Sequence, residues 1–370
     1  MRTIRQATAL LSLAVLLGGT NPAAAQFYLQ HNLVSDLPGV ADLQDPSLVN
    51  AWGLVASGTS PWWVSNNGTD TSTLYNTSGP VAKVAITALP CQCVMVPGNP
   101  TGVVFNGNSA SFHLPGGGPA ARFIFDAEDG SISGWAGGTS ATVIIQPSDK
   151  VYKGLAIVST VGGDFLYATD FHDGKVDVYN SSFVLQSMPG AFTDRTIPKG
   201  YAPFGIRNID GIIYVTYALQ DSDAHDDVPG VGHGFVNAFT TDGTLIRRVA
   251  SKGTLNSPWG LAMAPAAFGK FSSDFLVGNF GNGLIQAFDV QSSRGNDEAK
   301  FRGLLHSASG PLLKIDGLWA LSFGNDHAAG PSTTLFFTSG PQGESHGIFG
   351  SLVVTTPPGG GQGDDDQGDD

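Results

Sequence analysis

Charge is scarce in this chain of 370 residues: Asp, Glu, Lys and Arg together make 13% of it, about half the usual share. Glutamate is nearly missing, with Glu128, Glu298 and Glu344 set against 28 aspartates, and lysine occupies only nine positions. Solvent-facing helices are built largely from Ala, Glu, Lys, Gln and Arg, so a mainly helical protein is excluded. No apolar run reaches the roughly 20 residues a membrane-spanning helix needs. Clusters of Lys and Arg are absent and the net charge is −13, which argues against a nucleic-acid partner. Cysteine is limited to Cys91 and Cys93. Two residues apart, they can bridge only through a strained ring. They also make half of a closed zinc site, but no His or Cys cluster lies nearby in sequence, so they read as a structural or incidental pair. What the chain does have is 50 Gly, 22 Pro and 41% hydrophobic residues. The Gly is spread out without a Gly-X-Y period, which excludes collagen, and the apolar content argues against disorder over most of the length. A turn-rich, all-β chain remains.

The ends differ from the middle. Arg2 and Arg5 precede an apolar run from Ala7 to Gly19, followed by Asn21-Pro22 and Ala23-Ala24-Ala25. That order predicts a secretory signal peptide over 1–25, cleaved near Ala25, and a protein secreted to the periplasm or the medium. No Cys follows the cleavage site, so no lipid anchor is expected. Residues 357–370 are Gly- and Asp-rich without apolar side chains and are expected to be a disordered, solubilising tail.

Between these ends the sequence repeats. Six segments carry a Gly within an apolar stretch, at Gly53, Gly102, Gly154, Gly205, Gly260 and Gly317, in steps of 49, 52, 51, 55 and 57 residues. Each is followed by further short apolar strands. The copy from Gly154 continues with Asp164–Asp170, Lys175–Asn180 and Phe183–Gln186, and period-two alternation marks Lys175–Asn180 as a half-buried strand. Asp173-Gly174 and Asn282-Gly283 fall between strands two and three, where primed hairpin turns need positive φ. Six units of about 50 residues with four strands each predict a six-bladed β-propeller over 26–356. The sixth copy runs out of strands, while Phe27–Val34 forms a strand with no blade of its own. It is expected to be the outermost strand of the last blade, joining the two ends of the chain.

Several segments carry a resemblance: 45–54 (Asp-Pro-Ser-Leu-Val-Asn-Ala-Trp-Gly-Leu), 63–69, 123–134, 152–157, 170–174, 201–204, 214–227, 255–265 and 315–321. Through them the mature chain resembles a conserved hypothetical family of exported bacterial proteins, similar to the NHL-repeat and TolB-like six-bladed propellers. The resemblance implies the fold and carries no activity.

Sites in such a ring lie at the central channel and in the loops of its two faces. The residue before each repeat Gly should stand near the start of an innermost strand: Trp52, Thr101, Lys153, Phe204, Trp259 and Asp316. Three large aromatics, a Lys and an Asp there would make either a stacking floor with a polar pair or a plug. Asn50, Asn99, Asn256 and Asp316 would offer the hard oxygens calcium prefers. His172 is the one His in the hairpin turns and so a ligand or base candidate. The insertion in the fourth copy concentrates Asp221, Asp223, His225, Asp227 and His233, a second candidate calcium site, although the Gly and terminal Glu of a calcium loop are missing. No Gly-x-Ser-x-Gly elbow, His-Glu-x-x-His or P-loop is present. The expected function is therefore a non-catalytic binding module for a protein, glycan or small molecule. The alternative is a calcium-dependent hydrolase of the lactonase or gluconolactonase kind with its site in the channel.

Overall fold

The computed structural model describes residues 27–86, 88–291 and 297–356; the expected signal peptide and tail lie outside the described residues. Strands fill it, with two 3-10 turns, Asn67–Thr69 and Gly269–Phe271, as its only helical elements among the described residues. They form six sheets, antiparallel apart from one short parallel pairing of Val34 and Ser35 with Leu43 and Gln44. Blade 1 runs outward from Ala51–Val55 through Trp62–Asn66 and Thr71–Asn76 to Ala82–Lys83, and blade 2 from Pro100–Phe105 through Phe123–Ala127 and Ile132–Trp135 to Thr142–Ile145. Blade 3 comprises Tyr152–Thr160, Gly163–Asp170 and Lys175–Asn180. Its expected fourth strand, 183–186, is reduced to one bridge between Tyr179 and Leu185. Blade 4 runs from Tyr201–Ile209 to Leu245–Ser251, and blade 5 from Pro258–Met263 to Lys300–Leu304. Each innermost strand packs on the next, and the sixth returns against the first. The chain is a six-bladed β-propeller.

Blade 6 holds Leu318–Phe323, Leu335–Ser339 and Ile348–Thr355, and the strand Phe27–Ser35 adds to its outer edge. Phe27 lies opposite Thr355 and Ser35 opposite Ile348, antiparallel. The first described residues thus close the ring against the last ones, as the unpaired N-terminal strand in the sequence predicts. Apolar clusters fill the spaces between neighbouring blades, which is why no blade is a domain by itself.

The repeat glycines have a steric cause. A Cβ at Gly205 would overlap the Trp259 carbonyl, and one at Gly53 would meet the Thr101 carbonyl at 2.5 Å. Adjacent innermost strands approach too closely there for a side chain. The sixth copy departs from the sequence reading. In blade 1 the strand pairing starts at Ala51 and resumes at Leu54, and in blade 2 at Pro100 and Val103; in blade 6 it starts at Leu318 and resumes at Leu321. The residue equivalent to Trp52 is therefore Trp319, three positions after Asp316, and Ala320 stands where the other copies have Gly.

Candidate ligand-binding site at the channel mouth

The innermost strands begin at one face of the ring, and the turns between second and third strands reach the same face. Of the six equivalent starting positions, Trp52, Lys153, Phe204, Trp259 and Trp319 bring their side chains together, and Thr101 does not. Trp52 and Trp319 stack with ring centroids 3.5 Å apart, and Phe280 lies on the other face of Trp319 at 4.0 Å. Trp259 meets both tryptophans edge-on, while Phe204 and Phe171 fill the remaining side. Trp52, Phe204 and Trp319 are at most 2% exposed. The aromatics plug the channel. Thr101 faces protein, donating its hydroxyl to Asp126 Oδ1 and the Tyr152 carbonyl, both at 2.9 Å.

Above the plug lies Lys153, whose side chain is only 2% exposed. Its ammonium is 5.3 Å from the centre of the Trp52 ring and donates to Glu128 Oε1 and, at 3.1 Å, to Asp226 Oδ1. Burial disfavours the charge, but the two carboxylates outweigh it and hold the Lys153 pKa above its ordinary value. A polar chain extends from this point around the rim. Glu128 Oε2 accepts from the Asn67 amide at 2.8 Å, Asn67 Oδ1 accepts from Asn50 at 3.1 Å, and Asn50 also donates to Glu344 Oε2 at 2.7 Å. At the other end His225 Nδ1 lies 3.0 Å from Asp226. Side chains from blades 6, 1, 2, 3 and 4 thus form one continuous network. Burial raises the Glu344 pKa, against the lowering effect of its Asn50 bond. Burial also pushes Asp227 up to about 6, with Lys153 opposing and Asp226 adding to the rise.

Of the residues singled out in the sequence, Trp52, Lys153, Phe204 and Trp259 converge here. Asp316 does not: it is exposed and accepts the Gln342 N–H at 2.9 Å. Lys153 accordingly pairs with Glu128 and Asp226 instead. His172 is exposed on the blade 3 turn, and its neighbour Phe171 enters the plug. Of the insertion residues, His225 and Asp227 lie at the mouth beside Asp226 and Lys153, and the others turn to local partners. Asp221 Oδ1 caps the backbone N–H groups of His225 and Asp226, His233 Nδ1 lies 2.9 Å from the Val228 carbonyl, Asp223 is exposed and Asp227 half-buried. The amide oxygens proposed for calcium point elsewhere too, since Asn50 Oδ1 accepts from Trp319 Nε1 and Asn256 Oδ1 from the Gly230 N–H. Asn99 donates its own amide to the Asn67 carbonyl.

Among the described residues, one set of carboxylates and imidazole comes close enough to share an ion, Glu128, His225 and Asp226. The Lys153 ammonium already lies between those two carboxylates. A divalent cation would meet a buried positive charge, so these residues do not fit calcium while Lys153 is in place. Nothing in the glycine repeat singles out Glu128 or Glu344 as a site residue. A signal existed: the turn Glu128-Asp129-Gly130 matches Asn67-Gly68 and Asp173-Gly174, and two of only three glutamates occupy such turns.

Just outside this network Asp126 is fully buried, with Oδ1 accepting from Thr101 and, at 2.6 Å, from the Gly102 N–H. Burial pushes its pKa up to about 7 against the lowering effect of those bonds. Native protein therefore holds a proton the unfolded chain releases above about pH 4, and Asp126 costs stability as pH rises from there through 7. Asp126→Asn keeps an acceptor oxygen and is expected to raise Tm by about 3 °C or more at pH 8. The gain should shrink toward zero near pH 4. Thermal melts at both pH values check it; an equal loss at both would contradict the assignment.

Two relatives of this sequence come from a virus. Uncharacterized protein R648 of Acanthamoeba polyphaga mimivirus is 31% identical over 340 residues, covering 86% of this chain and 78% of its own length. Uncharacterized protein L690 of the same virus is 30% identical over 341 residues, covering 87% and 84%. The chain belongs to the family of these two proteins. That family gives no support to the bacterial origin implied by the resemblance above. No family model matches the sequence. Among solved structures, a protein of unknown function from Bacteroides thetaiotaomicron superposes with a TM-score of 0.55 at 11% identity, covering 89% of this chain and 76% of that one. An α-L-arabinanase from Penicillium chrysogenum gives 0.50 at 9% identity, covering 89% and 98%. At such identities the likeness is one of fold.

Proposed function

We propose that the protein is an exported binding propeller that holds a ligand at the Lys153 mouth without transforming it. The plug carries this reading. Covalent or acid–base chemistry needs a nucleophile or base within reach of the bound substrate, and the floor, Trp52, Phe204 and Trp319, offers none. Above it, the carboxylates of Glu128, Asp226 and Glu344 are engaged by Lys153 and Asn amides. Four carboxylates with Asp227 surround one ammonium, which favours a ligand that donates hydrogen bonds or brings positive charge. The half-buried ring of Phe280 adds an apolar face. A glycan or a hydroxyl- or ammonium-bearing small molecule meets both requirements. Export is supported by the basic start, apolar run and Ala-rich site at the N-terminus, and by the pairing of Cys91 with Cys93 as a disulfide, which oxidising compartments permit.

Purified protein should be screened against a glycan array and a panel of polyamines, and assayed on lactones and aryl esters with and without calcium. Saturable binding without turnover is expected, weakened at least tenfold by Phe280→Ala. Calcium-dependent lactone hydrolysis would instead establish a hydrolase of the lactonase or gluconolactonase kind.

A further inference from the structure

The plug divides the channel, and the far side is open. A cavity of about 260 Å³ lies between the innermost strands of all six blades, with Leu54, Val104, Leu155, Ile206, Leu261 and Leu321 among its walls. Its outer end is marked by half-buried residues, Ala56, Phe105, Ile157 and Asn208. Into this space, walled by aliphatic side chains and strand backbone, projects one cation, the half-buried Arg207. No carboxylate lines the cavity, and Arg207 makes no salt bridge among the described residues.

The guanidinium is fixed from one side. Nη1 donates to the carbonyls of Leu261 at 3.0 Å and Leu321 at 2.5 Å, and Nη2 to Ser322 Oγ at 3.0 Å. These partners belong to blades 5 and 6, so Arg207 of blade 4 straps three innermost strands. Five N–H donors meet three acceptors, leaving the Nε–H and one Nη2–H without a partner among the described residues. Burial lowers the pKa, to about 10, so the group stays charged at neutral pH. The guanidinium is half-buried, with two donors unmatched and no counter-ion, so an anion entering the cavity would complete its hydrogen bonds.

We propose that this cavity binds a small monocarboxylate with an apolar tail, its carboxylate on the Arg207 guanidinium and its tail along the aliphatic walls. Two N–H donors suit a carboxylate. A phosphate dianion would bring more charge than one guanidinium balances between apolar walls. The volume lies just under the range of sites for drug-sized ligands, which limits the tail to a short chain or one ring. This site lies on the face opposite the Lys153 mouth and does not depend on the function proposed for that mouth.

The test is a thermal-shift and calorimetric titration of the purified full chain with hexanoate, benzoate, hexanol and inorganic phosphate at matched ionic strength. Hexanoate and benzoate should raise Tm saturably with one site per chain, and hexanol and phosphate should not. Arg207→Met should weaken acid binding at least tenfold, with its fold checked by circular dichroism. If that variant fails to fold, the wild-type comparison of acid with alcohol decides, read also through the fluorescence of Trp259, which lines the cavity. No response to either acid, an equal response to hexanol or phosphate, or undiminished binding by folded Arg207→Met would overturn the proposal.

Discussion

Lys153→Met is expected to lower Tm by about 5–10 °C at pH 7, a loss of roughly 3–5 kcal/mol. The substitution keeps most of the side-chain volume and removes the ammonium, so the loss comes from charge rather than a cavity. Glu128, only 16% exposed, is left facing Asp226 with no cation between them. Asp226 is 66% exposed, so solvent screens its share and Glu128 carries most of the effect. Adding Glu128→Gln should restore part of the loss, because the pair is coupled and the double change removes both charges. The pH dependence has two limits. The raised pKa of Lys153 means its contribution is present below about 10.5 and is lost as pH rises through the native value. For Asp226, burial raises the pKa but Lys153 and His225 outweigh it, and the net value is lowered. Its contribution is therefore present above about 4 and lost as pH falls through the native value. The difference between wild type and Lys153→Met should be largest between these limits. Equal Tm values at pH 7 would remove Lys153 from the centre of the mouth.

Deleting residues 27–35 is expected to do more damage than any point substitution. Tyr28 and Val34 of this strand are fully buried and Leu33 nearly so; burial of three such side chains is worth roughly 5–9 kcal/mol. Tyr28 also reaches beyond its own blade. Its ring packs 4.9 Å from Phe268, its hydroxyl donates to the Phe268 carbonyl at 3.2 Å, and its N–H donates to the His306 carbonyl at 2.9 Å. The strand thus fastens blade 6 to blade 5 as well as the last strand to the first. Its loss would also bare the whole edge of Ile348–Thr355, a template for pairing between chains. Whole-domain stabilities are about 5–15 kcal/mol, so the truncated chain should aggregate or melt at least 10 °C lower. A monomeric truncated protein with unchanged Tm would contradict the closure.

The ring and its closure were legible because they rest on local patterns: Gly at fixed steps, alternation within strands, Asp-Gly and Asn-Gly turns, and one strand too many at the start. The site was legible in part. Trp52, Lys153, Phe204 and Trp259 follow from the repeat, since equivalent positions in a ring face the axis together. Trp319 was hidden because Ala320 takes the place of the marker glycine, and the nearby Gly317 drew the alignment three residues off. Glu128, Asp226 and Glu344 come from turns 98 to 216 residues apart in sequence; which of several acidic turns reaches the axis depends on loop path, which residue pattern does not record. The loop 221–233 misled for the opposite reason. Its acids are close in sequence, but a loop satisfies its own backbone first, and Asp221 is spent on that. Arg207 was invisible, as one apolar strand with one arginine looks like an ordinary half-exposed strand.

In the function proposed for the mouth, the Lys153 ammonium takes the place a metal ion would hold. Calorimetric titration of calcium into the purified protein, with Lys153→Met in parallel, tests it most directly. The wild type should give no binding heat and no calcium-dependent change in Tm, whereas Lys153→Met, with Glu128, His225 and Asp226 freed of the ammonium, should gain a calcium-dependent rise. One stoichiometric calcium site in the wild type, abolished by Glu128→Gln, would contradict the account.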